Sequence, residues 1–309
     1  MKDKLERLVQ ESVERTVGSL KRPFGLFLSG GVDSGLLAAL AKPDVVFTCK
    51  FDQGPLFDEF ESAEATAKHL GLEVVVVEPT KEDFFKYLPE ALKMFRPTTH
   101  FSLVPLYMLF KAAKEQGTTT ILSGEGPDEY LGGYSAYSII LQEEKLIERL
   151  KSQPELRNYQ SMIDRYFGSL MSRYARILGK SEMDIVDYWD KYEKKVSKLG
   201  YTDLMVRGIE DMELALAKGW GVNLLYPYMT EEIAKFCFEE IEDGLKVDGY
   251  TTKYLWKKIA EQYLPKDVVW RSNKMGGPIL NVNSFLGVED PFDKTAYLAL
   301  QEKCLKSLS

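Results

Sequence analysis

In the first half of the chain, short unbroken apolar runs alternate with stretches whose apolar residues fall three and four apart. Residues 24–28 form an apolar run that ends in Ser-Gly-Gly. A run of this length bounded by a glycine turn predicts a buried strand. Residues 34–42 place Leu36, Leu37 and Leu40 on one side and meet Pro43, which predicts a helix. Residues 45–51 predict a second strand. Phe60, Ala63, Ala67 and Leu70 recur at helical spacing, and Gly71 stops that helix. Residues 73–77 predict a third strand. Residues 83–95 and 103–116 predict helices, with Pro105 tolerated in a first turn. Residues 119–122 predict a fourth strand running into Ser-Gly-Glu-Gly, and residues 1–18 an amphipathic helix.

Strands alternating with helices predict an α/β fold, a parallel sheet with helices on both faces. Ligands on such sheets sit at the carboxyl ends of the strands, where the two glycine-rich turns at 29–31 and 123–126 fall. From about residue 136 the pattern turns helical, with Met205, Ile209, Met212 and Leu216 on one face and a further helix over about 250–263. The expected organisation is a nucleotide-binding core over about 20–135 and a helical part over about 136–309.

Composition narrows the function classes. The net charge is −7, with 47 acidic against 40 basic residues. A general nucleic-acid or anionic-membrane surface is therefore not expected. The three cysteines, Cys49, Cys237 and Cys304, lie far apart without a CxxC pair, and the chain has two histidines. That argues against a zinc site and a disulfide framework and fits a reducing compartment. Residues 1–18 carry charge throughout, unlike a signal peptide, and the apolar stretch 103–110 is too short to cross a bilayer. A cytoplasmic location is the expectation.

The segment Leu28-Ser29-Gly30-Gly31-Val32-Asp33-Ser34 lies between a predicted strand and a predicted helix. Its glycines let backbone approach a ligand, and the helix N-terminus offers amide groups to an anion. Ser29 and Ser34 add hydroxyls. Asp33 alone would repel phosphate, so its natural role is to hold a bridging Mg2+. No GxxxxGK[ST] and no post-strand GxGxxG occurs. An isolated Ser-Gly-Gly would be an ordinary capped turn; between an apolar strand and an apolar helix, the phosphate reading leads. The second cluster, Ser123-Gly124-Glu125-Gly126-Pro127-Asp128-Glu129-Tyr130-Leu131-Gly132-Gly133-Tyr134, brings three carboxylates within five residues. Such crowding is costly without a cation. A solvated acidic turn is the bland alternative.

Together these clusters resemble two motifs of a known family. SGGVDS resembles the loop of PP-loop ATP pyrophosphatases (adenine nucleotide alpha-hydrolase-like folds), and SGEGPDEYLGGY resembles a segment of asparagine synthetases. Phe51-Asp52, Asp58-Glu59, the run from Ala67 to Gly71, and Pro105-Leu106-Tyr107 agree in order. Lys253 to Lys257, Val268-Val269-Trp270-Arg271 and Lys274 resemble the family's C-terminal basic region. The match runs over about residues 22–280.

The resemblance implies a synthetase domain that binds ATP and Mg2+. It would adenylate an aspartate-like carboxylate, release pyrophosphate and pass the acyl group to ammonia. It implies pyrophosphate contacts from Ser29, Gly30, Gly31 and Ser34, metal ligation by Asp33 and Asp128, and adenosine framed by backbone at Leu28, Cys49, Ser123 and Gly124. It assigns Lys253 as the active-site lysine, Glu125 to the substrate's amino group and Lys274 to the phosphates. Taken alone, Lys253 would be a solvated helix residue. The family's glutaminase half has no counterpart in these residues, with Lys at position 2, so the resemblance leaves open a separate glutaminase subunit and a homo-oligomer.

The chain departs from the family's GVExRxPFLD-like segment at Asn223, Leu225 and Thr230, on the acyl-acceptor side. A β-lactam synthetase-like ligase, a ligase amidating another acid, and a non-catalytic nucleotide-binding subunit therefore stand as alternatives. A thiolating or tRNA-modifying enzyme would want paired cysteines or a basic surface.

Overall fold

The computed structural model describes residues 1–54, 56–134, 137–138, 141–142, 196–197, 200, 209–271 and 277–308. The chain divides into two compact units. One comprises Met1–Gln10, Glu125–Gly208 and Tyr228–Ile259, and the other Glu11–Gly124, Ile209–Pro227 and Ala260–Ser309.

The second unit holds the sheet. Its strands are β1 (Gly25–Phe27), β2 (Val45–Cys49), β3 (Glu73–Val77), β4 (Thr120–Leu122) and β5 (Asn223–Leu225), in the order β3-β2-β1-β4-β5, with every pairing parallel. The expected parallel α/β sheet is present. The fifth strand was not anticipated: it lies beyond the stretch assigned to the sheet, and three residues, Asn-Leu-Leu, carry too little pattern to separate strand from coil.

Side-chain alternation sorts the two faces. The register sets Phe27 beside Phe47, Gly25 beside Val45 and Ile121, and Cys49 beside Val77. All but Gly25 belong to one buried cluster with α4 (Lys81–Met94), α5 (Leu103–Glu115), α7 (Ile209–Trp220) and the C-terminal helix Thr295–Leu308. A side chain at Gly25 would sit 2.8 Å from atoms of both Ile121 and Phe47, so the large residues on either side require glycine there. α5 is buried nearly all round, which accounts for the apolar stretch at 103–110. On the other face, α2 (Val32–Ala41) and α3 (Phe60–Leu70) pack on β1, on β2 and on each other. Gly71 ends α3 at φ 65, as its glycine predicts, and Thr80 with Asp83 forms a capping box that starts α4.

In the other unit the described residues are mainly helical. The one-turn helix α6 (Pro127–Tyr130) follows the second glycine-rich turn. Tyr130 meets Phe238 edge to face, Tyr228 meets Trp256 likewise, and Lys4 pairs with Glu240 at 2.7 Å. Among the described residues, no helix is long and apolar enough to cross a membrane.

Candidate active site

β1 runs out at Leu28, whose N–H still donates to the Phe47 carbonyl, and the chain then turns through Ser29-Gly30-Gly31 into α2. The two serines shape this turn. The Ser34 hydroxyl accepts from the Ser29 N–H at 3.1 Å and donates to the Gly31 carbonyl at 3.3 Å. The hydroxyls lie 3.1 Å apart, and Ser29 Oγ accepts from the Gly31 N–H at 3.3 Å. The serines expected to meet an anion thus also fix the loop that would receive it. Gly30 has φ 82, and a Cβ there would fall 2.6 Å from the Glu59 carbonyl oxygen, so glycine is required on two counts. No side chain caps α2 at Gly31, which leaves the first turn the ordinary geometry of an anion-receiving helix start. Asp33 lies in that turn and is buried.

β4 is the neighbour of β1, so Ser123 and Gly124 emerge beside the first loop. Ser123 is held to β5 by its N–H on the Leu225 carbonyl at 3.0 Å. A Cβ on Gly124 would stand 3.0 Å from the Ser34 nitrogen, so the two glycine-rich turns touch backbone to backbone. Cys49 ends β2 at the same edge, but its thiol points into the core, where burial pushes its pKa well above the ordinary value. Only its backbone faces the edge. Of the departures noted above, Asn223 and Leu225 belong to β5, whereas Thr230 is the N-cap of Glu231–Lys235 and accepts from the Ile233 N–H at 3.3 Å.

Within the other unit, Glu125 is half-buried. Asp128 sits in α6 and takes an ion pair from Lys253 at 2.7 Å. Lys253 is not the solvated helix residue its neighbours suggest. It precedes the helix Tyr254–Ala260 in a left-handed conformation, φ 52, and is 1% exposed. Burying an ammonium this deeply requires a charged partner, and Asp128 is one. Glu129 is buried and bonded by the Tyr134 hydroxyl. Gly133 closes this turn with its N–H on the Asp128 carbonyl at 2.7 Å, and a Cβ at Gly133 would lie 1.8 Å from Asp128 Oδ1. The Asp128 carboxylate therefore occupies space that only glycine leaves open. Gly133→Ala is expected to expel it, break its pair with Lys253 and lower the melting temperature; an unchanged melting temperature would show that the turn yields without displacing the carboxylate.

Lys274 lies outside the described residues. The sequence marks Glu59 and Arg271 only as separate motif matches; they form a largely buried ion pair behind the first loop. They stand 212 residues apart, so no periodicity or spacing could have joined them.

The chain carries an α/β domain built on a parallel sheet whose first strand ends in a glycine-serine loop at a helix start. The profile of the family described as asparagine synthase matches residues 4–302, and the chain belongs to this family. It is 30% identical to an asparagine synthetase [glutamine-hydrolyzing] 1 of Bacillus subtilis, over 90% of this chain and 50% of that protein. To asparagine synthetase B [glutamine-hydrolyzing] of Escherichia coli it is 26% identical, over 88% and 44%. The chain thus spans about half the length of the curated relatives it matches. Among solved structures, an NH3-dependent NAD synthetase from Campylobacter jejuni in complex with the nitrate ion aligns at 22% identity and TM-score 0.30. That alignment covers 43% of this chain and 61% of that one.

Proposed function

We propose that the chain is an ATP-dependent, amide-forming ligase that activates a carboxylate as its adenylate. The carrying observation is the loop at Ser29–Ser34: a serine-braced, glycine-built turn at an uncapped helix start on the carboxyl edge of a parallel sheet. Membership in the asparagine synthase family makes ATP and an aspartate-like amino acid the first substrates to try.

In the proposed reaction, a carboxylate oxygen of the acid attacks the α-phosphorus of ATP. The bond from that phosphorus to the bridging oxygen breaks, and pyrophosphate leaves. Ammonia then adds to the acyl carbon of the adenylate, AMP departs with the bonding pair, and the nitrogen loses a proton. Ser29, Gly30, Gly31, Ser34 and the start of α2 would hold the departing pyrophosphate. Backbone at Leu28, Cys49, Ser123 and Gly124 would border the adenosine, and Glu125 would receive the substrate's amino group. Asp33 and Asp128 are assigned to Mg2+, which when bound neutralises phosphate charge. An all-oxygen donor set of one or two carboxylates completed by phosphate and water is what this ion takes. Lys253 would neutralise charge that grows on the phosphates. Most of the rate then comes from positioning and fixed charge.

The relatives are named as glutamine-hydrolysing proteins, which supports ammonia as nitrogen donor and a glutaminase as its source, and the chain spans about half their length. The test is a pyrophosphate-release screen of candidate acids with ATP, Mg2+ and ammonium. The 309-residue chain is expected to make product with ammonium, to ignore glutamine alone, and to accept glutamine once a glutaminase is added. Pyrophosphate release with no acid, or none with any, would overturn the reading. Glutamine-driven product from the purified chain would overturn the nitrogen assignment.

A further inference from the structure

We infer that Glu59 and Arg271 are positioning residues for the phosphate-binding loop, their ion pair holding the Gly30 carbonyl so that the loop turns amides rather than carbonyl oxygen toward an anion. The inference rests on the loop reading proposed above and concerns two residues outside it.

A loop that wraps an anion has a standing problem: each amide it offers is coupled to a carbonyl whose oxygen repels phosphate. At Gly30 the positive φ swings one carbonyl away, and that oxygen needs a donor. Arg271 supplies one at 3.4 Å through the same guanidinium nitrogen that pairs with the Glu59 carboxylate. The Glu59 side chain is 8% exposed and that of Arg271 17%, so solvent competes weakly with either contact. Glu59 also meets the loop through its backbone, since a Cβ on Gly30 would strike the Glu59 carbonyl. One residue thus abuts the glycine and anchors the cation that holds the glycine's carbonyl. A planar guanidinium can serve both partners at fixed geometry, which an ammonium does less well.

Arg271 is itself delivered from the C-terminal segment Ala260–Ser309. It follows the helix Lys266–Val269, and the indole N–H of Trp270 donates to Glu261 at 2.8 Å. The same segment grips the loop after β2 at two more points. The Gln53 side chain exchanges hydrogen bonds with the backbone of Asn281, at 3.0 and 2.7 Å, and Phe57 lies 5.9 Å from Phe292 ring to ring. Three contacts, at Gln53, Phe57 and Glu59, strap the β2–α3 loop that backs Gly30.

Charge alone and positioning predict opposite signs for one substitution. If only charge mattered, Glu59→Gln would remove a repulsive carboxylate and tighten anion binding. If the pair positions the loop, Glu59→Gln loosens Arg271 and weakens it. Inorganic pyrophosphate is titrated calorimetrically into the full chain as wild type, Glu59→Gln, Arg271→Lys and the double variant, with a thermal melt of each. The wild type is expected to bind, each single variant to bind roughly tenfold more weakly, and the double variant no more weakly than the poorer single, as coupled partners behave. Glu59→Gln binding as tightly as wild type or more so, or single losses that add in the double variant, would overturn the inference and leave the loop reading standing. A wild-type chain that ignores pyrophosphate would overturn both. Should Arg271→Lys fail to fold, the sign of the Glu59→Gln effect decides.

Discussion

Asp33→Asn is expected to reduce ATP-dependent pyrophosphate release by about two to three orders of magnitude while leaving a folded protein. Asp33 is a buried acid in the first turn of α2, within the loop proposed to hold phosphate. A carboxylate there opposes a polyphosphate unless a divalent cation joins them, so its expected contribution is made through Mg2+. Asparagine keeps the size and one oxygen but loses the charge. Loss of one preorganised electrostatic contact in a water-poor site costs roughly 3–4 kcal/mol of barrier. The cost in stability is smaller, because an acid at a helix N-terminus contributes on the order of 0.3–1 kcal/mol through the helix dipole. Turnover and melting temperature measured on the same preparation separate the two effects. A further reading comes from the metal: the variant should require much more Mg2+ for half-maximal rate. Normal turnover at ordinary Mg2+ would show that Asp33 serves only as a first-turn acid.

The sequence made much of the scaffold legible for reasons that are local. Gly71 ends α3 because only a residue tolerant of φ 65 fits that position, and the strand at Glu73–Val77 follows as an unbroken valine run. The turn at Ser29–Gly31 was visible because two glycines stand between an apolar strand and an apolar helix. What stayed hidden depends on distant parts of the chain meeting. β5 is a three-residue strand recognisable only by its pairing with β4. Lys253 taken alone reads as a solvated helix residue and is singled out only by the resemblance; its burial against Asp128 is set by a contact across 125 positions. The Glu59–Arg271 pair is of the same kind. Gly133 was visible as part of a motif, but its reason, the room it leaves for the Asp128 carboxylate, is three-dimensional.

Lys253→Ala is expected to lower the adenylation rate by about 10²–10³-fold with a much smaller change in ATP affinity. The α-phosphorus centre and the departing pyrophosphate carry more negative charge than bound ATP, so a lysine that meets that growing charge favours the transition state over the ground state. Its surroundings add a second expectation that an exposed lysine would not have. Lys253 is 1% exposed and paired with Asp128 at 2.7 Å, so the substitution leaves a carboxylate that has lost its cation. Removing one partner of a buried pair costs about 3–5 kcal/mol in full burial, and the 20% exposure of the Asp128 side chain reduces that. Melting temperature should therefore fall, and the rate must be measured below the transition, at saturating ATP. Lys253→Arg separates the two roles. It retains a cation for Asp128 and should recover stability, but a guanidinium spreads its charge over a rigid fork and should not recover the rate. A folded Lys253→Ala protein turning over within twofold of wild type would assign the lysine a purely structural role. A large loss of ATP affinity with unchanged saturated turnover would make it a ground-state ligand. Recovery of both stability and rate in Lys253→Arg would mean that any cation opposite Asp128 suffices, and that the lysine acts by holding that carboxylate in place.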